Sequence, residues 1–287
     1  MAKIVGLGEI LWDVFPDGAK LGGAPGNFAM HVNSLGEEGW VVSSIGKDEL
    51  GIKAKEIFDS RGLKYNVEEV DTPTGTVVVT LDSHGKATYD FTKNSAWDNI
   101  TLNTNAINLA KECDCVCFGS LGQRSKKSRD SIYRFLDSTR QNCIKIFDIN
   151  IREKYYSLDI IMESLKRATV LKLNDEELPL LREMLNLPKS DEEAISEIKE
   201  KFNLDLVILT MGSNGSLLFR DKDNKSFVKP PKIDVVDTVG AGDSYTAAVA
   251  VGLLRGDSLD DINNKANKVA AYVCTQKGGT PKLNTFF

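Results

Sequence analysis

The sequence is poor in histidine and lacks any tract of positive charge. It has two histidines among 287 residues, and its lysines and arginines are scattered along a chain whose formal net charge is -5. Nucleic acids and anionic membrane surfaces attract basic patches, so neither is an expected partner. The longest apolar run, residues 247–254, is far too short to cross a bilayer.

Cysteine is present in an odd number, five, which does not suit a framework of disulfide bonds. Cys113, Cys115 and Cys117 alternate along a predicted strand, where residues on one face lie about 7 Å apart. Sulfurs at that spacing do not converge easily on one metal ion, and we interpret them as buried structural thiols. The start of the chain also lacks the apolar segment and cleavage site of a signal peptide, so a cytoplasmic protein is expected.

The two histidines do not suggest an acid–base centre. His31 lies inside a predicted helix, where a packed or capped side chain is expected, and His84 lies in a predicted hairpin turn at residues 82–85. An enzyme of the acid–base type with this composition would therefore use a carboxylate as its base.

Short β-rich segments alternate with segments of helical periodicity over most of the chain. This alternation predicts an α/β fold with one doubly wound, mostly parallel sheet flanked by helices, within a single domain spanning residues 1–287. Ligands of such sheets bind at the carboxyl ends of the strands. The predicted strands are residues 3–8, 39–45, 115–119, 145–149, 169–173 and 206–210, and the predicted helices are 26–35, 50–60, 126–140, 158–167, 175–184, 191–202, 241–255 and 259–276.

Two regions interrupt this alternation. Residues 10–21 are extended, and residues 74–92 hold two strand-like segments joined by the turn at 82–85. Paired strands without crossover helices fit poorly inside a parallel sheet. We therefore predict a small separate sheet that acts as a lid, with extra edge strands of the main sheet as the alternative. Nearer the end, residues 214–219 and 226–229 predict an antiparallel hairpin.

The most informative segment, residues 237–244, leads directly into an apolar helical pattern. Gly240, Ala241 and Gly242 form a turn at the start of this predicted helix, where free backbone N–H groups and the helix dipole attract an anion. Asp243 follows, although a carboxylate is unfavourable beside a bound phosphate. A carboxylate in this place suggests a general base next to a phosphoryl group in transit.

Other polar residues gather at the ends of predicted strands, and strand alternation puts Asp148, Asn150 and Arg152 on one side. The plain structural alternatives for these groups are a turn with an N-cap, a solvated loop, a capping box and a hairpin turn. The groups are Gly22, Gly23 and Asn27 with Asp13 before them, then Asp148, Asn150 and Arg152, then Asn174 and Glu177, and last Thr210, Gly212 and Gly215. The P-loop and the dinucleotide fingerprint are absent, so the predicted anion site belongs to another class.

Residues 237–243, Asp-Thr-Val-Gly-Ala-Gly-Asp, resemble the carboxy-terminal signature of the ribokinase-like sugar kinases, also called the phosphofructokinase-B family. The early paired glycines with Asn27 and Ala29 resemble the amino-terminal signature of that family. The remaining polar groups follow in the family's order, and the resemblance covers essentially the whole chain. It implies the ribokinase-like fold, in which a large sheet carries a small β-sheet lid.

Within this family, residues 8–18 and 21–25 are most similar to fructokinases, and residues 96–98 are similar to them too. The resemblance implies an ATP- and Mg²⁺-dependent transfer of the γ-phosphoryl group to a primary hydroxyl of D-fructose, giving fructose 6-phosphate. The open alternatives are a kinase for another small sugar or a nucleoside (ribose, 2-keto-3-deoxygluconate or adenosine), a non-catalytic sugar sensor of the same fold, and a dinucleotide oxidoreductase, which the failed fingerprint disfavours.

The resemblance also implies a role for each polar group. Asp243 would be the catalytic base, with the turn at Gly240, Ala241 and Gly242 holding the phosphoryl group and Arg152 adding positive charge. Sugar hydroxyls would be bound by Asp13, Gly22, Gly23 and Asn27. The nucleotide and its magnesium would be bound by Asn174, Glu177, Thr210, Gly212 and Gly215, with Glu177 acting on the metal through water.

Members of this family often have a monovalent cation site beside the anion-binding turn. The Asp237 carboxylate and the Val239 carbonyl match two of its ligand positions, and residues 277–282 would supply the others. Lys282 disfavours a cation there, so potassium stays an open question. Residues 10–21 and 74–92 match the family's lid, which often forms the contact of a homodimer.

Overall fold

Strands and helices alternate along the chain as the sequence predicts. The computed structural model describes residues 1–15, 18–81 and 87–283, and the predicted turn around His84 lies outside them. In these residues the strands are β1 (Lys3–Leu7), β2 (Leu11–Phe15), β3 (Gly18–Gly22), β4 (Glu38–Gly46), β5 (Lys64–Val70), β6 (Gly75–Leu81), β7 (Ala87–Phe91), β8 (Cys115–Phe118), β9 (Ile144–Asp148), β10 (Val170–Asn174), β11 (Leu206–Thr210), β12 (Ser216–Phe219) and β13 (Lys225–Val228). The helices are α1 (Ala24–Ser34), α2 (Glu49–Ser60), α3 (Thr104–Glu112), α4 (Lys126–Asp137), α5 (Leu158–Arg167), α6 (Glu177–Leu185), α7 (Asp191–Lys201), α8 (Ala241–Arg255) and α9 (Leu259–Cys274).

The main sheet has nine strands within the described residues, in the order β13-β12-β11-β10-β9-β8-β1-β4-β5. The strands from β11 to β5 in this order are parallel, and β12 and β13 extend the sheet as the predicted antiparallel hairpin. From β1 the chain builds first towards β5 and later towards β11. The winding therefore reverses between β1 and β8, and such a switch point opens a crevice at the carboxyl ends of the strands.

Helices cover both faces of this sheet and bury two separate apolar clusters. On one face α3 to α7 pack over fully buried side chains such as Phe118, Phe147 and Leu171. On the other face α1, α8 and α9 pack over side chains such as Ile146 and Ile208. Neighbouring residues of a strand point to opposite faces, which is why a continuous apolar run is needed when both faces are covered.

The small separate sheet predicted from residues 10–21 and 74–92 is confirmed. Its order in the described residues is β3-β2-β6-β7, with β2 and β6 parallel and the other pairs antiparallel. The alternative, in which these strands extend the main sheet, is wrong. Leu11 and Val77 are buried beneath the small sheet, whereas Val78 is 44% exposed on its outer side.

Among the strands and α-helices of the described residues, β5 and α3 are the two that the sequence analysis did not predict. Strand β5 lies at the edge of the main sheet, and most of its side chains are only partly buried, so it lacks an apolar run. Helix α3 is short and starts after Asn103, whose side chain accepts the Ala106 N–H at 2.8 Å. Both segments are stabilised by packing on one side only, which leaves a weak pattern in the sequence.

The predictions for cysteine and for one histidine are confirmed. Cys113, Cys115 and Cys117 are buried, and His31 is fully buried in α1. No helix in the described part of the chain has the length and apolar character needed to cross a membrane.

Candidate active site

A cleft of about 550 Å³ lies at the carboxyl ends of the parallel strands, between the main sheet and the small sheet. Most of the residues selected from the sequence line it, although they come from distant parts of the chain. These are Asp13, Gly23, Asn27, Asp148, Asn150, Arg152, Asn174, Thr210, Val239, Gly240, Gly242 and Asp243. The selected residues that are not among those lining the cleft are Gly22, Glu177, Gly212, Gly215, Asp237 and Ala241.

The turn before α8 has the geometry of an anion-binding site. Gly240 has a φ of 75°, in the left-handed region, and it caps α8, which begins at Ala241. A Cβ atom on Gly240 would overlap the Gly279 carbonyl oxygen, so this position requires glycine. The Ala241 N–H donates at 3.3 Å to a carbonyl within the turn. The N–H groups of Gly242 and Asp243 are therefore the donors that the first helical turn offers to an anion.

Asp243 faces the cleft and is oriented by Asn27. The Asn27 Nδ2 group donates to Asp243 Oδ2 at 2.9 Å. Burial raises the pKa of Asp243 to about 6, against the opposing effect of the Asn27 hydrogen bond, and the charge of Asp148 adds to the rise. Such a carboxylate is mostly ionised at neutral pH and is a better proton acceptor than an ordinary aspartate, which suits a general base.

Lys172, in β10, is a site residue that the sequence analysis did not select. Its Nζ donates to Asp148 Oδ1 at 3.0 Å, and Asp148 Oδ2 accepts from the Thr246 hydroxyl at 3.1 Å. Burial alone would lower the pKa of Lys172, but the charges of Asp148 and Glu177 raise it above its usual value, so the ammonium stays charged. A Cβ atom on Gly242 would lie 3.5 Å from this Nζ, which places the charge against the anion-binding turn. The feature of the sequence that could have identified Lys172 is a lysine inside an otherwise apolar strand.

Glu9, which follows β1, is a second residue that the sequence analysis missed. It is 2% exposed, and its Oε2 atom has no hydrogen-bond partner among the described residues. It lines the cleft, and it also lines a cavity of about 10 Å³ together with Asp148 and Asp243. Burial raises the pKa of Glu9 to about 7, and the charge of Asp243 adds to this rise.

Replacing Glu9 with glutamine is expected to change how stability depends on pH. Because the pKa is about 7 in the folded protein and ordinarily 4.5, Glu9 stabilises the fold below pH 4.5 and loses that contribution as the pH rises through 7. The full loss corresponds to about 3 kcal/mol. Urea unfolding at acid and at mildly alkaline pH measures this effect. As the pH increases, the free energy of unfolding of Glu9→Gln should rise relative to that of wild type by most of this amount.

The exposed Glu56 offers a matched control for that experiment. Glu56→Gln should keep the pH dependence of the wild-type protein, since this side chain remains in water. Parallel stability profiles for wild type and Glu9→Gln would contradict the raised pKa of Glu9.

One end of the cleft combines a carboxylate, an amide and an apolar wall. Asp13 lies on β2, and Gly22, which pairs with Leu11 from β3, leaves the space that the Asp13 carboxylate occupies. Burial raises the pKa of Asp13 to about 6, although Arg152 opposes this shift. Leu11, Val77, Phe91 and Leu121 complete this end together with Gly23 and Asn27. Few polar groups set in an apolar wall suit a ligand that has both hydroxyl edges and C–H faces.

Asp148, Asn150 and Arg152 do not alternate along a strand, so that prediction is wrong. Strand β9 ends at Asp148, and Asn150 has a φ of 47°, which turns the chain. All three residues nevertheless line the cleft. Asp148 is buried, whereas Arg152 is exposed at the mouth, where its charge acts on Asp13 and Asp243.

Asn174 and Glu177 form the reciprocal hydrogen bonds of the capping-box alternative, although Asn174 is not the N-cap: α6 begins at Glu177, after Glu176. Asn174 Oδ1 accepts the Glu177 N–H, and Glu177 Oε2 accepts the Asn174 N–H, both at 2.8 Å. Glu177 Oε1 accepts the Ile151 N–H at 2.8 Å. Because both carboxylate oxygens are already bonded and the side chain is buried, this donor set suits a hydrated Mg²⁺ held through water better than direct ligation.

Thr210 lies at the end of β11, and its hydroxyl donates to the Leu173 carbonyl at 3.4 Å. Gly212 and Gly215 lie in the turn that follows, with φ values of 52° and 118°. Thr210 lines the cleft beside Asn174, with which it pairs, whereas Gly212 and Gly215 are not lining residues.

Asp237 connects the segment before α8 to the loop that follows α9. Its Oδ1 accepts the Val239 N–H at 3.0 Å, and its Oδ2 accepts the Gly278 N–H at 3.1 Å. In the same loop, the Gly279 carbonyl lies 2.8 Å from His31 Nε2. The loop predicted to complete a cation site therefore packs directly behind the anion-binding turn.

The model of the pfkB family of carbohydrate kinases matches residues 17–285 of this chain. An uncharacterized sugar kinase of Pyrococcus horikoshii is 30% identical over 275 residues, which cover 90% of this chain and 81% of that protein. A fructokinase of Klebsiella pneumoniae is 28% identical over 294 residues, covering 98% of this chain and 94% of that protein. Among solved structures, an E. coli protein described as ribokinase II, in complex with ATP and Mg²⁺, has a TM-score of 0.83 at 21% identity, covering 98% of this chain and 96% of its own.

Proposed function

This chain belongs to the pfkB family of carbohydrate kinases, and from that premise we propose that it transfers the γ-phosphoryl group of ATP to a primary hydroxyl of D-fructose, giving fructose 6-phosphate. The observation that carries the proposal is the position of Asp243. Its carboxylate, whose pKa is raised to about 6, lies at an anion-binding helix terminus and is bonded to Asn27 of the opposite wall. This arrangement brings a proton acceptor and a phosphate-binding turn to the same point of one cleft.

The side chains around this point supply the proton transfer and the charge that the reaction requires. Asp243 takes the proton of the sugar hydroxyl as that oxygen attacks the γ-phosphorus. The N–H groups of the helix terminus, at Gly242 and Asp243, stabilise the negative charge on the transferring group. Lys172 adds a fixed positive charge beside the same turn, and Asn27 keeps the base oriented.

The nucleotide and its metal occupy the wall formed by the ends of β10 and β11 in this proposal. Asn174 and Glu177 hold Mg²⁺ through water, while Thr210 and the turn with Gly212 and Gly215 contact ATP. When bound, Mg²⁺ would neutralise part of the phosphate charge.

A monovalent cation beside the turn is also part of the proposal, with potassium as the ion. Each Asp237 oxygen accepts one N–H and keeps a further lone pair, and one of these bonds joins it to the Val239 backbone. These oxygens are suitable ligands for a weakly hydrated cation.

Fructose is favoured as the acceptor by the fructokinase-like residues 8–18 and by the similarity to the Klebsiella pneumoniae fructokinase. A sugar acid is the second candidate, because Arg152 lies at the cleft mouth near Asp13. Its guanidinium would pair with the carboxylate of 2-keto-3-deoxygluconate.

ADP release measured with fructose, ribose, glucose, 2-keto-3-deoxygluconate, adenosine and fructose phosphates tests this assignment. We expect the highest kcat/KM with fructose and a higher rate in potassium chloride than in tetramethylammonium chloride. A higher kcat/KM with 2-keto-3-deoxygluconate than with fructose would identify the sugar acid as the acceptor. Equal rates in the two salts would contradict the proposed potassium site. Absence of ADP release with every acceptor would contradict the proposed activity.

Asp13→Asn is expected to raise the KM for the sugar by about 10- to 100-fold, because a hydrogen bond to a charged group contributes roughly 1.5–3 kcal/mol. The KM for ATP should stay near the wild-type value, since Asp13 belongs to the small sheet and not to the nucleotide wall. Asp90→Asn, an exposed change on β7 of the same sheet, is the matched control. Steady-state kinetics in which both substrates lose affinity equally would argue against Asp13 as a sugar ligand.

We extend the proposal to the whole molecule: residues 1–287 act as one cytoplasmic kinase domain, and the small sheet acts as its lid. Its outer side, with the exposed Val78, is also a candidate contact of a homodimer. Fructose should then slow hydrogen exchange in β2 and β6. Unchanged exchange in those strands at saturating sugar would refute the lid.

A further inference from the structure

His31 is fully buried in α1, and the reaction described above does not use it. Its Nε2 lies 2.8 Å from the Gly279 carbonyl oxygen. Because a carbonyl only accepts, Nε2 carries the proton and donates it to this bond. Burial lowers the pKa of His31 to about 4, so the ring is neutral at physiological pH, and Nδ1 has no hydrogen-bond partner among the described residues. The buried ring therefore directs its one hydrogen bond at Gly279.

Gly279 forms the back of the anion-binding turn. Its carbonyl oxygen occupies the space where a side chain on Gly240 would project. A Cβ atom on Gly279 would lie 3.1 Å from the side chain of Val239 and 3.5 Å from Asn27 Nδ2. Movement of the Gly279 peptide would therefore reach Gly240, the residue that sets the direction of the first turn of α8.

One face of α1 carries both contacts with the active site. Asn27 and His31 are four residues apart and so lie one above the other on the helix. Asn27 bonds to Asp243, and His31 bonds to the peptide behind Gly240. Helix α1 thus fixes the base and the turn from the same side.

We propose that His31 is a positioning residue for phosphoryl transfer, whose N–H holds the Gly279 carbonyl against Gly240 and so keeps the anion-binding turn beside Asp243. The inference rests on the proposed function. Other residues hold the loop at either side, since the Gly278 N–H donates to Asp237 and Arg61 Nη1 donates to the Thr280 carbonyl at 3.1 Å. Arg61 is exposed, so it provides a control anchor on the same loop.

Three variants distinguish a positioning role of the His31 N–H from a role in which the His31 ring only fills space. His31→Met keeps a similar volume but removes the donor, His31→Gln restores a side-chain N–H at a similar reach, and Arg61→Met removes the exposed anchor. We expect His31→Met to lower kcat by roughly tenfold or more while the KM for the sugar changes little, because a small misplacement of reacting groups is costly. His31→Gln and Arg61→Met should keep kcat within about threefold of wild type.

Hydrogen exchange gives a readout that does not require turnover. With the non-hydrolysable analogue AMP-PNP bound, His31→Met should exchange faster than His31→Gln at residues 239–242 and 277–280. Equal kcat in His31→Met and His31→Gln, or faster unfolding of both with an unchanged kcat, would overturn the positioning role. A wild-type protein without kinase activity would instead refute the proposed function, and the exchange comparison would still decide the role of His31.

Discussion

Asp243→Asn is expected to lower kcat by about 10²–10⁴ while ATP and the sugar still bind. Asparagine has the shape of aspartate but does not accept the hydroxyl proton at neutral pH. Its side-chain oxygen can still accept the Asn27 N–H that bonds to Asp243 Oδ2 at 2.9 Å, so the wall of the cleft is retained. The loss should therefore fall on the chemical step and not on binding.

The pH dependence of the wild-type rate provides an independent view of the same group. Because the pKa of Asp243 is raised to about 6 and only the ionised form is a base, kcat should fall as the pH decreases below about 6. The residual activity of Asp243→Asn should lack this acid limb. Steady-state ADP release across pH, with calorimetric binding of AMP-PNP and fructose, measures both effects.

Asp257, exposed just beyond the other end of α8, offers a matched control. Asp257→Asn makes the same chemical change just beyond the far end of this helix and should keep wild-type turnover. If Asp243→Asn also turned over at a rate close to wild type, the proton would have to go to another group, and Asp243 would lose its assignment.

Gly240→Ala is expected to lower kcat/KM for ATP by about 10² or more. The new Cβ atom would overlap the Gly279 carbonyl oxygen, and the backbone has a φ of 75° that alanine disfavours. Either the turn or the loop behind it must move. The N–H donors of Gly242 and Asp243 would then no longer meet the transferring phosphoryl group in the required orientation.

Gly256, at the opposite end of α8, isolates the contribution of backbone strain. It has a φ of 74°, almost the same as Gly240, but a Cβ atom there would meet nothing within 4 Å. Gly256→Ala should therefore lose stability by about 1–2 kcal/mol in urea unfolding and keep its kinetics. Equal losses of kcat/KM in the two variants would show that the close approach of Gly279 to Gly240 does not contribute to activity.

The parallel sheet was predictable because each buried strand is an apolar run followed by polar residues. Asn174 and Thr210 could be selected from the sequence for the same reason, since parallel strands end at one edge of a sheet. Asp243 could be selected because the glycine turn, the helix and the carboxylate are consecutive. In these cases the residues that identify the site are neighbours in the sequence, or they are brought together because parallel strands run in the same direction.

The residues that the sequence analysis missed depend on distant partners. Lys172 would be an unfavourable buried charge without Asp148, which is 24 residues away, and Asp148 also bonds to Thr246, 98 residues away. Glu9 is recognised only by its burial beside Asp243. The alternation expected from Asp148 onward failed because β9 ends at Asp148 and Asn150 has a positive φ. The partners of Lys172, the burial of Glu9 and the turn at Asn150 cannot be predicted from a local sequence pattern.

The contacts of α1 with the end of the chain have a consequence for synthesis on the ribosome. Asn27 and Asp243 are 216 residues apart, and His31 and Gly279 are 248 residues apart. At roughly 5–20 residues per second, a ribosome needs on the order of 10–40 s to add Asp243 after it has added Asn27. A nascent chain that stalls before Gly240 has most of the sheet but neither the base nor the turn behind which Gly279 packs. Under the proposed mechanism, such fragments lack both the base and the phosphate-binding turn, so we expect abandoned translation products to consume no ATP.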